Sequence, residues 1–332
     1  MTTNKSINFT KKIYISSFAS VAGKKEYDGP LGNLFDRVFE DDMCGEDSFE
    51  KAESRLQEES AKIALKKLNV ADNAIDIMFA GDLLNQCIGS AFGLRSFDIP
   101  FVGLYGACST MGLSMIMAAL SVESGISKKA LAVTSSHFCS AERQFRFPLE
   151  YGGQRTPTAQ WTVTGSGAVI LTDNLKGPII KRATIGKIID LGIKDMNNMG
   201  AAMAPAAFDT INRHFKATET SCKDYDAIFT GDLGKVGSDL LLQIAEKENV
   251  RLDNHKDCGL MIFDRNTQDV HAGGSGCGCS ASVLCSFILK RFLDGAFKKV
   301  LFCPTGALMS PTSGMQGESI PGICHAIEIC SE

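Results

Sequence analysis

The chain repeats itself. Ala80-Gly-Asp-Leu83 follows the apolar run Ile75-Asp-Ile-Met-Phe-Ala80, and Thr230-Gly-Asp-Leu233 follows the matching run Asp226-Ala-Ile-Phe-Thr230. Further on, Gly125, Lys128 and Lys129 align at one constant offset with Gly295, Lys298 and Lys299. A duplicated unit of alternating strands and helices can bury both faces of its strands only in helix-covered, mostly parallel sheets. The pattern therefore predicts an α/β chain of two similar halves, 1–174 and 175–332, with mixed, mostly parallel sheets. Two long apolar helices, one per half, would pack together at the pseudo-two-fold axis.

The first of these helices begins in Phe101-Val-Gly-Leu-Tyr-Gly-Ala-Cys-Ser-Thr-Met-Gly-Leu-Ser-Met-Ile-Met-Ala-Ala-Leu120. Residues 99–122 carry no charge, a length that could cross a bilayer. Pro100, Gly103, Gly106 and Gly112 interrupt the run, so the expectation is a buried core helix. Cys108 lies where the strand turns into the helix. Unpaired backbone N–H groups and the helix dipole would lower the pKa of a thiol placed there, giving a nucleophile.

The 332 residues are 44% apolar and 22% charged with a net charge of −4, which is normal for a globular chain and leaves no nucleic-acid footprint. The start, Met1-Thr-Thr-Asn-Lys-Ser, has no apolar signal core. Twelve scattered cysteines read as reduced thiols rather than a disulfide framework. The lone pair Cys277-Gly-Cys279 is weak as a zinc motif, and neither metal nor cofactor is expected. Strands are predicted around Lys12–Ser16, Leu131–Ser135, Val300–Cys303 and Cys324–Cys330. Helices are predicted over Phe49–Leu68, Ser238–Glu246 and Ser280–Leu293. Trp161–Leu171 is read as a strand pair turning at Gly165-Ser-Gly167.

Duplicated halves, a Cys opening a buried helix and a Gly-rich counterpart in the second half resemble the thiolase-like superfamily, nearest its ketoacyl-synthase III branch. More narrowly, Gly32-Asn-Leu-Phe-Asp36, Ser135-Ser-His-Phe-Cys-Ser-Ala-Glu-Arg-Gln-Phe-Arg-Phe-Pro148, Glu150-Tyr-Gly-Gly-Gln154 and Ala159-Gln-Trp-Thr-Val-Thr-Gly-Ser-Gly167 resemble the stage V sporulation protein AD family. The resemblance implies a five-layered αβαβα fold, an endospore-forming source and a role with dipicolinic acid, alone or as its calcium chelate. It also implies a homodimer, companion stage V sporulation membrane proteins, and peripheral attachment to the spore inner membrane through them.

Condensing enzymes of the superfamily pair the Cys with a second-half His and Asn. The His position falls at about Thr230-Gly231 and the Asn position at about Cys277, so neither is matched. His137, His255 and His271 are possible substitutes, and Glu142 and Asp232 possible bases. For a bound dianion the candidate residues are Cys108, Ser109, His137, Glu142, Arg143, Arg146, Asp232 and Cys277, with Phe145 or Phe147 as a ring wall and Arg155 in reserve. Two other readings stay open here: an acyltransferase with Cys108 as nucleophile, and a scaffold of a channel complex that binds no ligand.

Overall fold

The computed structural model describes residues 6–145 and 155–332. The first-half strands are β1 (Ile7–Ala22), β2 (Ile77–Gly81), β3 (Phe101–Gly103), β4 (Lys129–Ser136) and β5 (Gly165–Thr172), and they pair in the order β3-β2-β4-β5-β1. The second-half strands are β6 (Ile179–Thr184), β7 (Ala227–Thr230), β8 (His255–Asp257), β9 (Lys299–Cys303) and β10 (Ala326–Cys330), and they pair in the order β8-β7-β9-β10-β6. In both halves the first three strands of that order run parallel and the remaining pairings are antiparallel. The N-terminal part of β1 joins the two sets by pairing with β6, for example Ile13 with Ile180.

The repeated residues have a local cause. Asp76 accepts hydrogen bonds from the backbone N–H of Lys128 and Lys129, and Asp226 does the same for Lys298 and Lys299, at 2.5–2.9 Å. Each carboxylate fixes the entry into a parallel strand, so the Asp and the Lys-Lys recur together. The Gly-Asp pairs recur because each strand ends in a turn that buries the carboxylate. Asp82 accepts from the Leu84 and Ser90 N–H groups.

Strand residues alternate between two cores with period two. Phe79, Ala130, Ala132, Val169 and Leu171 face a central core together with Phe229, Val300, Phe302, Ile327 and Ile329. Their neighbours Met78, Ala80, Leu131, Val133 and Ile170 face an outer core under α1 (Phe49–Leu68). Ile228, Leu301 and Ala326 face the opposite outer core. Between the sheets lie α2 (Thr110–Ser124) and α6 (277–293), the latter interrupted by a π turn at Leu284–Ile288. The second outer core is closed by α4 (Met199–Thr218) and α5 (Gly234–Lys247). The result is five layers, αβαβα. The stretch Ala107–Ser124, apolar and long enough to span a membrane, is mostly buried as the middle-layer helix.

The helix α1 spans its predicted residues. Ser48 caps it by accepting from the Lys51 N–H, and Asn69 ends it in the left-handed region. Its second-half counterpart α4 is missed by the sequence reading, because Pro205 inside an Ala- and Met-rich run conceals it. Gly165-Ser-Gly167 is not a turn. It lies within β5, paired to both β1 and β4. A Cβ on Gly167 would come 2.4 Å from the Ala281 carbonyl oxygen, so glycine is there because α6 crosses the strand closely.

Candidate functional site

Both middle-layer helices start at the sheet ends, and a pocket opens where they meet. In front of α2, Ala107 adopts a left-handed conformation at φ 49°, which costs a non-glycine residue about 1–2 kcal/mol. The turn is held by Ser109 N–H to Gly106 O and Thr110 N–H to Ala107 O. This strained turn drives the Cys108 side chain into the pocket floor, where it is 5% exposed. A two-residue ladder, Trp161–Thr162 beside Gly274–Ser275, brings Thr162 and Ser275 to one wall. Leu83, Ala141 and Ala307 fill others, while Tyr105, Met196, Met199 and Met309 complete the lining. The cleft measures about 480 Å³ including its open mouth. None of these lining residues is cationic or a histidine.

Behind Ser275 lies Asp232, fully buried. It accepts hydrogen bonds from Ser275 Oγ at 3.2 Å, Gly276 N–H at 2.9 Å and Thr305 Oγ1 at 2.8 Å. The Cys108 Sγ is 3.9 Å from the same Ser275 Oγ, so Ser275 stands between the thiol and the carboxylate. Burial raises the Asp232 carboxyl to about 6. Burial first, and Asp232 second, push the Cys108 thiol well above its ordinary range. This is the opposite of the direction that a helix N-terminus alone dictates. The magnitudes explain why: a helix terminus is worth up to about 2 kcal/mol, while full burial moves a pKa by up to about 3–5 units, or about 4–7 kcal/mol.

The positions of the superfamily's His and Asn can be examined directly. A Cβ on Gly231 would meet the Thr305 N at 2.9 Å and the Pro304 Cα at 3.0 Å, so the site has no room for a side chain. Cys277 is fully buried beside Cys108, and its Sγ donates to the Ser135 carbonyl at 2.9 Å. Cys279 contacts the Gly231 carbonyl instead, so the two sulfurs of the C-x-C pair serve different partners.

The remaining sequence candidates divide. Cys108, Cys277 and Asp232 come together. Ser109 is buried, with its Oγ bonded to Gly106 O at 2.6 Å, and it serves the turn rather than the pocket. His137 bonds the Asp42 carbonyl at 2.7 Å and accepts from Cys139 N–H, and burial lowers its pKa. His255 bonds Thr230 Oγ1, and His271 bonds the Thr156 carbonyl. Glu142 is buried on α3 (Phe138–Phe145) but does not line the pocket. Arg143 pairs with Glu50 and lies over the Phe49 ring, and Arg155 pairs with Asp269 and stacks on Trp161. Neither Arg reaches the lining. Arg146, Phe147 and the side chain of Phe145 lie outside the described residues. Sequence reasoning missed Thr162, Ser275, Thr305 and the three methionines. Only Ser275 carried a signal, its place in the Gly-rich run 273–278.

The comparisons agree with this geometry. Residues 3–330 match the family model of stage V sporulation protein AD. The chain is 47% identical over 320 residues to "Stage V sporulation protein AD" of Bacillus subtilis (strain 168), covering 96% of this chain and 94% of that one. Among solved structures it resembles 3-oxoacyl-[acyl-carrier-protein] synthase III of Aquifex aeolicus VF5, with TM-score 0.59, 12% identity, and 96% and 99% of the two chains covered. It also resembles cerulenin-bound OleA of Xanthomonas campestris, with TM-score 0.61, 13% identity and 99% of each chain covered. At such identities these structures speak for the fold alone. The thiolase-like architecture is therefore common to all of them, and by sequence the chain belongs to the stage V sporulation protein AD family of sporulation proteins.

Proposed function

We propose that the pocket holds dipicolinic acid, free or as its calcium chelate, and that the protein supports its uptake into the forespore and its release on germination. One observation carries this reading. An apolar cleft is retained over Cys108, while the positions that would make it a condensing enzyme hold Thr230-Gly231 and Cys277. Without a His or an Asn beside it, a protonated Cys108 lacks the groups that would stabilise an oxyanion. The methionines and Leu83 offer an apolar slot for a flat ring. Because the described lining has no cation, neutralisation of the carboxylates falls to backbone N–H groups before α2 and, in the chelate, to calcium itself.

Calorimetric titration with dipicolinate, with and without equimolar calcium, tests the reading. It expects saturable one-to-one binding in at least one arm, and heat of dilution alone in both arms would sink it.

We also propose that the protein pairs with a second copy along β3. This outermost strand is uncharged, and around it Phe92, Phe101 and Tyr105 are 53%, 41% and 47% exposed. Phe101→Lys is expected to convert a dimer to a monomer in analytical ultracentrifugation. A native protein that sediments as a monomer at tens of micromolar would exclude this pairing. Attachment to the spore inner membrane through companion sporulation membrane proteins completes the proposal.

A further inference from the structure

We infer that Asp232 is the positioning residue that keeps Cys108 chemically silent: fixed and buried behind Ser275, its carboxylate opposes any negative charge on the Cys108 sulfur. This inference does not depend on which ligand the pocket takes. Three observations carry it. The Asp232 carboxylate is fully buried and locked by Ser275, Gly276 and Thr305, so it cannot swing away from the thiol. Ser275 stands between them, 3.9 Å from Cys108 Sγ and 3.2 Å from Asp232 Oδ2, and its hydroxyl bonds the carboxylate. Among the described residues, no positive group in the pocket lining offsets the repulsion.

The other titratable groups around Cys108 are all of the kind that become anions. Cys277 and Tyr105 are close by, Glu53 and Asp82 lie behind Cys277, and Asp257 and Cys279 lie beyond Asp232. Among them Asp232 is the carboxyl that shares Ser275 with the thiol, and burial sets it near neutral pH, at about 6. The duplication accounts for its origin. Asp82 holds the equivalent place in the first half, where it caps the turn at Leu84 and Ser90. In the second half Asp257 takes the turn N–H groups of Leu233 and Gly234, which leaves Asp232 to bond Ser275, Gly276 and Thr305 beside the nucleophile position.

The test is alkylation of Cys108 by iodoacetamide as a function of pH, read by peptide mass spectrometry. The thiolate sulfur displaces iodide to form an S–C bond, and the thiol proton goes to buffer. In the native protein the Cys108 rate is expected to rise only above the range of an ordinary thiol. In Asp232→Asn the midpoint is expected to fall by at least one pH unit, with a rate at pH 7.5 at least tenfold higher, while Asp232→Glu restores the native profile. The partly exposed Cys87, in the same digest, reports any general loosening of the fold. An unchanged midpoint in Asp232→Asn, or a slower reaction, would overturn the inference, the slower reaction marking Asp232 as a base. Should that variant not fold, the native profile still decides: a Cys108 midpoint at or below that of free cysteine contradicts silencing outright.

Discussion

Ala141→Phe is expected to abolish dipicolinate binding, a loss of at least a hundredfold in affinity or about 2.8 kcal/mol by calorimetry. Ala141 is 2% exposed on α3 and packs with Leu83, Cys108 and Cys277 at the pocket floor. The phenyl ring added there enters the space that a flat aromatic ligand needs. Because it grows into a pocket rather than into packed core, the variant is expected to cost no more than the usual 1–3 kcal/mol of overpacking. Arg143→Ala is the matched control. Its guanidinium is paired with Glu50 outside the lining, so affinity is expected to change less than threefold. The reverse outcome, with Arg143→Ala abolishing binding and Ala141→Phe tolerated, would move the ligand from the Cys108 pocket to the outer face of α3.

Stability is expected to fall as pH rises from 6.5 to 8. Burial raises Glu26 and Glu53 from an ordinary 4.5 to about 8. A carboxyl whose folded pKa exceeds its unfolded value holds its proton longer in the native state. Between the two pKa values the native state therefore binds more protons, and raising the pH favours unfolding. Asp257 and Asp232, raised to about 7 and about 6, act in the same direction up to those values. Burial lowers His255 and His325 from 6.5 to about 4, so between those values they act in the opposite sense. Above pH 6.5 only the carboxyls remain. Two groups at about 1.4 kcal/mol per pH unit each give a fall on the order of 2–4 kcal/mol by pH 8. Thermal melts should show Tm lower by roughly 5 °C at pH 8 than at pH 6.5. Glu53→Gln and Glu26→Gln should each flatten the profile. A Tm that rises over this range would contradict the burial of these acids.

The sequence made the architecture legible because duplication leaves marks that local chemistry forces. Asp76 and Asp226 each tie down a Lys-Lys pair, so the repeat survives as a pattern of residues rather than of overall similarity. Alternation within strands told the inner face from the outer. Pro205 broke the periodicity of α4, and Gly165 to Gly167 read as a turn because the close crossing of α6 is a tertiary fact. The site was legible in part for the same reason. Cys108 announces itself by the turn before α2, and Asp232 by the repeated Gly-Asp. That both residues meet Ser275 depends on the junction of the halves, which no local pattern encodes. The direction of the Cys108 pKa therefore differs from what its helix position implies. Met196 lies outside any regular element, so periodicity could not place it at the pocket mouth.

The most direct test of a silenced thiolase-like pocket that binds rather than reacts is native mass spectrometry. The intact protein is incubated with dipicolinate and an acyl-CoA together, so one spectrum reads both possibilities. The account predicts one non-covalent dipicolinate per chain, with or without calcium, and no acyl mass on Cys108. An acyl adduct on Cys108 with no retained dipicolinate would contradict it.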